Sequence, residues 1–163
     1  PSSELVFLVL KLVFVHDIYL PFSCDLRCLI QLCCPVKQMQ VSTSFFSKHD
    51  NLYEDRIWEF QCKDTFNSNP QCFWTNYVNS FDEQFTFVCP NNYVMTGMGS
   101  IHDDKYGDRR WQFQCCQTYN YCNYNCQWTP YVNFYDEEFT WLVPSMNYLV
   151  GAESVHSNSY EYV

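Results

Sequence analysis

An eight-residue stretch occurs twice in this chain, and its return limits the folds available more than any other feature. Asp55-Arg56-Ile57-Trp58-Glu59-Phe60-Gln61-Cys62 comes back 53 positions later as Asp108-Arg109-Arg110-Trp111-Gln112-Phe113-Gln114-Cys115, with six of eight residues identical. A second block, Cys72 to Val88, returns 54 positions on as Cys126 to Leu142, with ten of seventeen identical. Ser100-Ile101-His102 is echoed by Ser154-Val155-His156. A period near 50 residues implies a repeated supersecondary unit, each copy needing its neighbours to complete a buried core.

The repeated stretches read as strands. In Trp58 to Cys62 and Trp111 to Cys115 large apolar side chains alternate with polar ones, the period of a half-buried strand, so Glu59 and Gln61 should face water. Phe85 to Cys89 and Phe139 to Val143 behave alike, and each is followed by a proline, Pro90 or Pro144, which cannot donate to a ladder. Tyr93 to His102 is a further strand, and its Gly97 and Gly99 point to a bulge or close backbone approach. Asp103 to Gly107 reads as a turn. Nothing from Cys34 onward carries a helical stripe. Cys34-Pro35, Ser44-Phe45-Phe46 and Asp55-Arg56 keep the order of Cys89-Pro90, Ser100-Ile101-His102 and Asp108-Arg109, so an earlier copy precedes the second. A third begins at Val143-Pro144, and its Asp-Arg-x-Trp strand is missing before Val163. The expectation is an all-β, pseudo-threefold repeat of about 53 residues, disulfide-stapled, in a β-prism or β-trefoil-like arrangement that removes free edges.

Residues 1–33 differ from the rest. Leu5 to Val15 is an apolar run broken by Lys11 and too short to span a bilayer. The segment is expected to be a secretion-signal remnant or mistranslated, with the repeat domain occupying 34–163. Eleven cysteines are too many for a reduced cytosolic protein that holds no metal. From Cys62 onward they sit at matching points of the repeat and offer no zinc knuckle, and Cys24, Cys28, Cys33 and Cys34 lie at offsets that fit none either. A disulfide framework in an oxidising compartment follows. The net charge is −9, and the nine basic residues form no stripe, which argues against nucleic acid as a partner. Thirteen Tyr and 14 Phe favour strands.

No catalytic constellation stands out. His102 and His156 are equivalent, yet Asp103-Asp104 follows one and Ser157-Asn158 the other, so an acid/base or metal role lacks shared partners. Asp82-Glu83 and Asp136-Glu137-Glu138 are equivalent acidic turns without a calcium loop's alternating ligands, and read as solvated turns. Arg56 and Arg109 are expected to be structural, in ion pairs with the neighbouring Asp55 and Asp108 or stacked on Trp58 and Trp111. Tyr119, Tyr121 and Tyr124 crowd the loop around Cys122, and exposed aromatics suit sugars or protein partners. They form the candidate binding surface. Tyr53, Tyr135 and Tyr160 lie beside acids, a context for sulfation, and no Asn-x-Ser/Thr acceptor is present.

The two Asp-Arg-x-Trp-x-Phe-x-Cys strands, the Cys115-Cys116 pair and Cys122-x-x-x-Cys126 resemble the dermatopontin family of tyrosine-rich acidic matrix proteins, whose invertebrate relatives include agglutinins. The resemblance covers Cys34 to Val163. It implies a secreted, disulfide-bonded protein of the extracellular matrix with no enzymatic activity and no cofactor. It implies partners among matrix proteins, proteoglycans or glycans, with a lectin role as the alternative. It also implies three bridges: Cys34 to Cys62, Cys72 to Cys115, and Cys89 to Cys116. The family's partners of Cys122 and Cys126 lie beyond a third Asp-Arg strand, so here these two bond each other, pair between chains or stay free.

Overall fold

The computed structural model describes residues 9–16, 40–50, 55–64, 70–103, 105–106, 108–117, 126–145 and 147–156. The strands are β1 (Val9–His16), β2 (Gln40–Asp50), β3 (Asp55–Asp64), β4 (Gln71–Trp74) and β5 (Phe85–Val88). They continue with β6 (Val94–Asp103), β7 (Asp108–Gln117), β8 (Cys126–Trp128), β9 (Phe139–Leu142) and β10 (Asn147–Val155). Among the described residues there is no helix, and so none long and apolar enough to cross a membrane. The strands make three antiparallel sheets, ordered β5-β10-β1-β8, β3-β2-β9 and β4-β7-β6.

The expected alternation is met. Along β7, Trp111, Phe113 and Cys115 are buried, whereas Gln112 and Gln114 are only half-buried. Glu59 and Gln61 are exposed between half-buried Trp58, Phe60 and Cys62. In β5 and β9, Phe85 and Phe139 are buried while Thr86, Val88, Thr140 and Leu142 face outward. The bulge expected near Gly97 falls beside it, because the β6–β7 register passes over Thr96. The β2–β3 register slips between Ser42 and Ser44, and the β1–β10 register passes over Val150. Three ladders thus carry the same one-residue slip, spaced 53 and then 54 positions apart.

The repeated seventeen-residue blocks link the sheets. Residues 72–88 place β4 beside β7 and then β5 beside β10, and residues 126–142 place β8 beside β1 and then β9 beside β2. Each block therefore begins in one sheet and ends in the next. The aromatic side chains meet where the sheets converge. Trp58 packs edge-on against Trp111 (5.7 Å) and Phe139 (6.0 Å), and Phe87 stacks on Phe113 at 4.8 Å. One core cluster includes Phe45, Phe85, Trp111, Phe113 and Phe139, drawn from all three sheets.

Backbone approaches closely at Gly151. A Cβ there would stand 2.3 Å from the Phe87 carbonyl oxygen, and backbone yields less readily than a side-chain tip. Gly151→Ala is expected to destabilise the fold by about 1–3 kcal/mol through overpacking. The check is the urea midpoint, and a variant as stable as the parent would refute the close approach.

The disulfides depart from the implied pattern. Cys72 bonds Cys116, and Cys89 bonds Cys115, the reverse of the expected exchange. The register explains it. Cys72 is the direct partner of Cys116 across the β4–β7 ladder, with Cα atoms 4.1 Å apart. Side chains alternate across a strand, so Cys115 takes the other face, with the core cluster and Cys89. The implied Cys34–Cys62 bridge has one end, Cys34, outside the described residues.

Candidate functional site

The Asp-Arg ends of the repeated strands interlock. Arg109 Nε donates to Asp55 Oδ1 at 2.7 Å and its Nη2 donates to Asp55 Oδ2, a bidentate pair between β7 and β3. Arg109 Nη1 donates to Ser100 Oγ. Arg56 uses the equivalent contact, its Nε donating to Ser47 Oγ at 2.9 Å, while its Nη2 donates to the Glu137 carbonyl oxygen. Arg56 also lies over the Trp58 and Phe139 rings, at 5.9 and 5.6 Å. Both expected structural roles are realised, with one difference. The acid that Arg109 takes belongs to the other strand, not to its own Asp108.

The acidic turns build the same junction. Glu83 accepts from the Ser80 amide and Glu137 from the Phe134 amide, while Asp82 and Asp136 adopt positive φ of 60° and 55°. Asp108 accepts from the Asp82 amide, and Asp136 lies 3.3 Å from His49. These carboxylates are spent on turns and junctions, and among the described residues no group of three or more His, Cys, Asp or Glu is placed to hold a metal. When protonated, His102 favours the ionised form of Asp55 and His156 that of Asp108.

Burial would raise Asp55, but the hydrogen bonds and charge of Arg109, with the Arg56 amide, hold its carboxyl below the usual range. At Asp108 burial prevails over two backbone amides and pushes the carboxyl up. A depressed folded pKa gives stability that is present above the unfolded value and lost as pH falls through the folded one. Asp55→Asn is therefore expected to cost about 1–2 kcal/mol at pH 7, since the pair is partly open to solvent. The deficit should begin to shrink as pH falls below about 4, where Asp55 of the unfolded parent becomes protonated, and should close as the folded carboxyl follows at lower pH. Denaturant midpoints between pH 3 and 7 check this, and a constant deficit would count against the pair.

The outward chemistry lies on another edge. Trp128 ends β8 and is exposed, and beyond it Tyr131 is 46% and Phe134 79% exposed, with Tyr131 donating its hydroxyl to Glu153 Oε1 at 3.0 Å. An aromatic face beside a fixed carboxylate can stack a sugar ring and accept from its hydroxyls, or seat a protein side chain. Sequence reasoning passed over these residues, although one signal was present: Phe134 stands where the other copy has Ser80. Tyr119, Tyr121 and Tyr124 lie outside the described residues, in the segment that enters β8.

Fold and site together define a disulfide-bonded all-β protein whose two repeated strands are joined by the Arg109–Asp55 pair and whose loops present aromatics. The sequence model of one family, Dermatopontin, matches residues 25–162. Millepora cytotoxin-1 of Millepora dichotoma is 42% identical over 118 residues, covering 72% of this chain and 53% of that protein. The hemagglutinin/amebocyte aggregation factor of Limulus polyphemus is 40% identical over 117 residues, 71% of this chain and 67% of that protein. Dermatopontin of Biomphalaria glabrata is 34% identical over 128 residues, 78% of this chain and 84% of that protein. The chain thus spans about half the length of the Millepora protein. No solved structure matches it. The chain belongs to the Dermatopontin family.

Proposed function

We propose that this is a secreted, non-enzymatic extracellular-matrix or adhesion protein that binds matrix proteins or proteoglycans. The observation that carries the reading is the exposed run Trp128, Tyr131 and Phe134, set on a strand edge and anchored through Glu153. Tyr119, Tyr121 and Tyr124 would extend that surface. The likeness to dermatopontins supports the matrix role. The three ladders are one unit used three times about a pseudo-threefold axis, in the manner of a β-prism or β-trefoil, and their shared register supports that arrangement.

A second reading is a lectin of the same architecture, favoured by the likeness to the Limulus hemagglutinin and by the carboxylate beside the aromatics. Solid-phase binding to collagen and to a purified proteoglycan, with and without simple sugars, separates the two. Saturable binding that sugars do not inhibit supports the matrix role. Haemagglutination abolished by a simple sugar supports the lectin. Joint replacement of Trp128, Tyr131 and Phe134 by alanine should weaken either activity at least tenfold without lowering thermal stability by more than a few degrees. Unchanged binding by that variant would remove the surface from consideration.

A further inference from the structure

The sheet β4-β7-β6 turns one face to the core and the other outward. Trp111, Phe113 and Cys115 take the core face of β7, so Gln112, Gln114 and Cys116 alternate onto the outer one. Register carries that outer face across the sheet. Cys72 and Trp74 of β4 lie opposite Cys116 and Gln114, while Gly97 and Gly99 of β6 lie opposite Gln114 and Gln112.

Trp74 lies down on this face. A Cβ on Gly99, on the far side of β7, would come 3.4 Å from Trp74 Cζ3 and 3.0 Å from both Cγ and Nε2 of Gln112. The indole therefore reaches across β7 toward a strip of β6 that Gly97 and Gly99 leave without side chains. It is still 39% exposed. A ring laid along a sheet and exposed to that extent turns one face to solvent.

The ring and its neighbours are held in place. Cys72, two residues before Trp74 on the same face, is bonded to Cys116, and the Thr75 amide just after it donates to the Phe113 carbonyl at 2.8 Å. The short edge strand is thus tied on both sides of Trp74. Thr96, passed over at the bulge and 1% exposed, donates its hydroxyl to Gln114 Oε1 at 2.9 Å. That bond uses the carbonyl end of the Gln114 amide and leaves the N–H groups as the donors it can offer a ligand.

A flat indole face with two amide side chains beside it suits a sugar ring. The apolar C–H face of a pyranose stacks on the indole, and an amide supplies donor and acceptor to its hydroxyls. Trp74, Gln112 and Gln114 carry no charge. Arg110, the next side chain on this face of β7, is engaged elsewhere: its guanidinium lies over the Tyr77 ring at 4.6 Å and its Nε donates to the Asn79 carbonyl at 3.2 Å. Near Trp128 the position equivalent to Gly99 is Glu153, so that surface is charged where this one is neutral.

We infer that the outer face of β4-β7-β6 at Trp74, Gln112 and Gln114 is a binding site for a neutral pyranose stacked on the indole. It lies on a different sheet from the Trp128 surface and does not rest on the reading of that surface.

The probes are the methyl glycosides of glucose, galactose, mannose and N-acetylglucosamine, titrated into the isotope-labelled full chain. At least one should shift the NMR signals of the Trp74 indole N–H and of the Gln112 and Gln114 amides saturably, with a Kd on the order of millimolar. Molar salt should leave the shifts in place, since no charge is involved. Trp74→Ala, and Gly99→Glu, which reproduces the residue of β10, should each weaken binding about tenfold or more. Trp128→Ala should not change it. No saturable shift with any of these glycosides overturns the inference, as does binding lost in Trp128→Ala, which would assign the sugar to the other surface. Binding of methyl glucuronide alone, abolished by salt, also overturns it. If Trp74→Ala does not fold, magnetisation transfer between glycoside ring protons and the Trp74 ring in the unaltered chain decides, and its absence overturns the assignment.

Discussion

Trp111→Ala is expected to destabilise the protein by about 3–5 kcal/mol, because it removes a fully buried indole from the place where two sheets meet. Trp111 is 2% exposed, packs edge-on against Trp58 and belongs to the core cluster shared by all three sheets. Its loss leaves Trp58 without that partner and opens a cavity that the disulfide-tethered β7 closes only in part. For a chain of this size the melting temperature should fall by on the order of 10 °C. Trp128→Ala is the control, since that ring is exposed at the sheet edge. A loss below about 1 kcal/mol at Trp111 would contradict its placement in the core.

Removing either bridge should have an effect of the same order. Cys72–Cys116 and Cys89–Cys115 span 44 and 26 residues, which on the chain-entropy account correspond to about 4 and 3.5 kcal/mol. Cys89→Ala with Cys115→Ala should therefore lower the urea midpoint substantially and leave Cys72–Cys116 intact. The pairing itself is read from single replacements. Cys89→Ala should expose a thiol that alkylation followed by fragmentation between residues 115 and 116 places on Cys115. Finding it on Cys116 would restore the exchange that the resemblance implied.

The strand pattern was legible because alternation is local: Trp111-Gln112-Phe113-Gln114-Cys115 shows its buried face by its own period. The bulge was announced by Gly97 and lies beside it. The acid partner of Arg109 was not legible. Asp108 is the nearer carboxylate in sequence, but a strand end meets whatever the adjoining sheet brings, here Asp55 from 54 positions away. Nor did Tyr131, Phe134 and Glu153 draw notice, since an exposed aromatic gains meaning only when a distant strand sets a carboxylate beside it.

The sequence by itself determined the all-β character, because pleat and proline stops are written in neighbouring residues, and it displayed the recurring sequence blocks directly. It also marked the eight-residue strand as a structural rib. Only the tertiary structure decided which of two adjacent cysteines takes which partner, because Cys115 and Cys116 face opposite sides of one strand and the neighbours of each side come from elsewhere in the chain. It decided, too, that Val9–His16 pairs where a third rib would pair. Ladder register is set by backbone bonds and by the wall alongside, and these accept an apolar strand whose side chains share none of the rib's Asp, Arg or Trp.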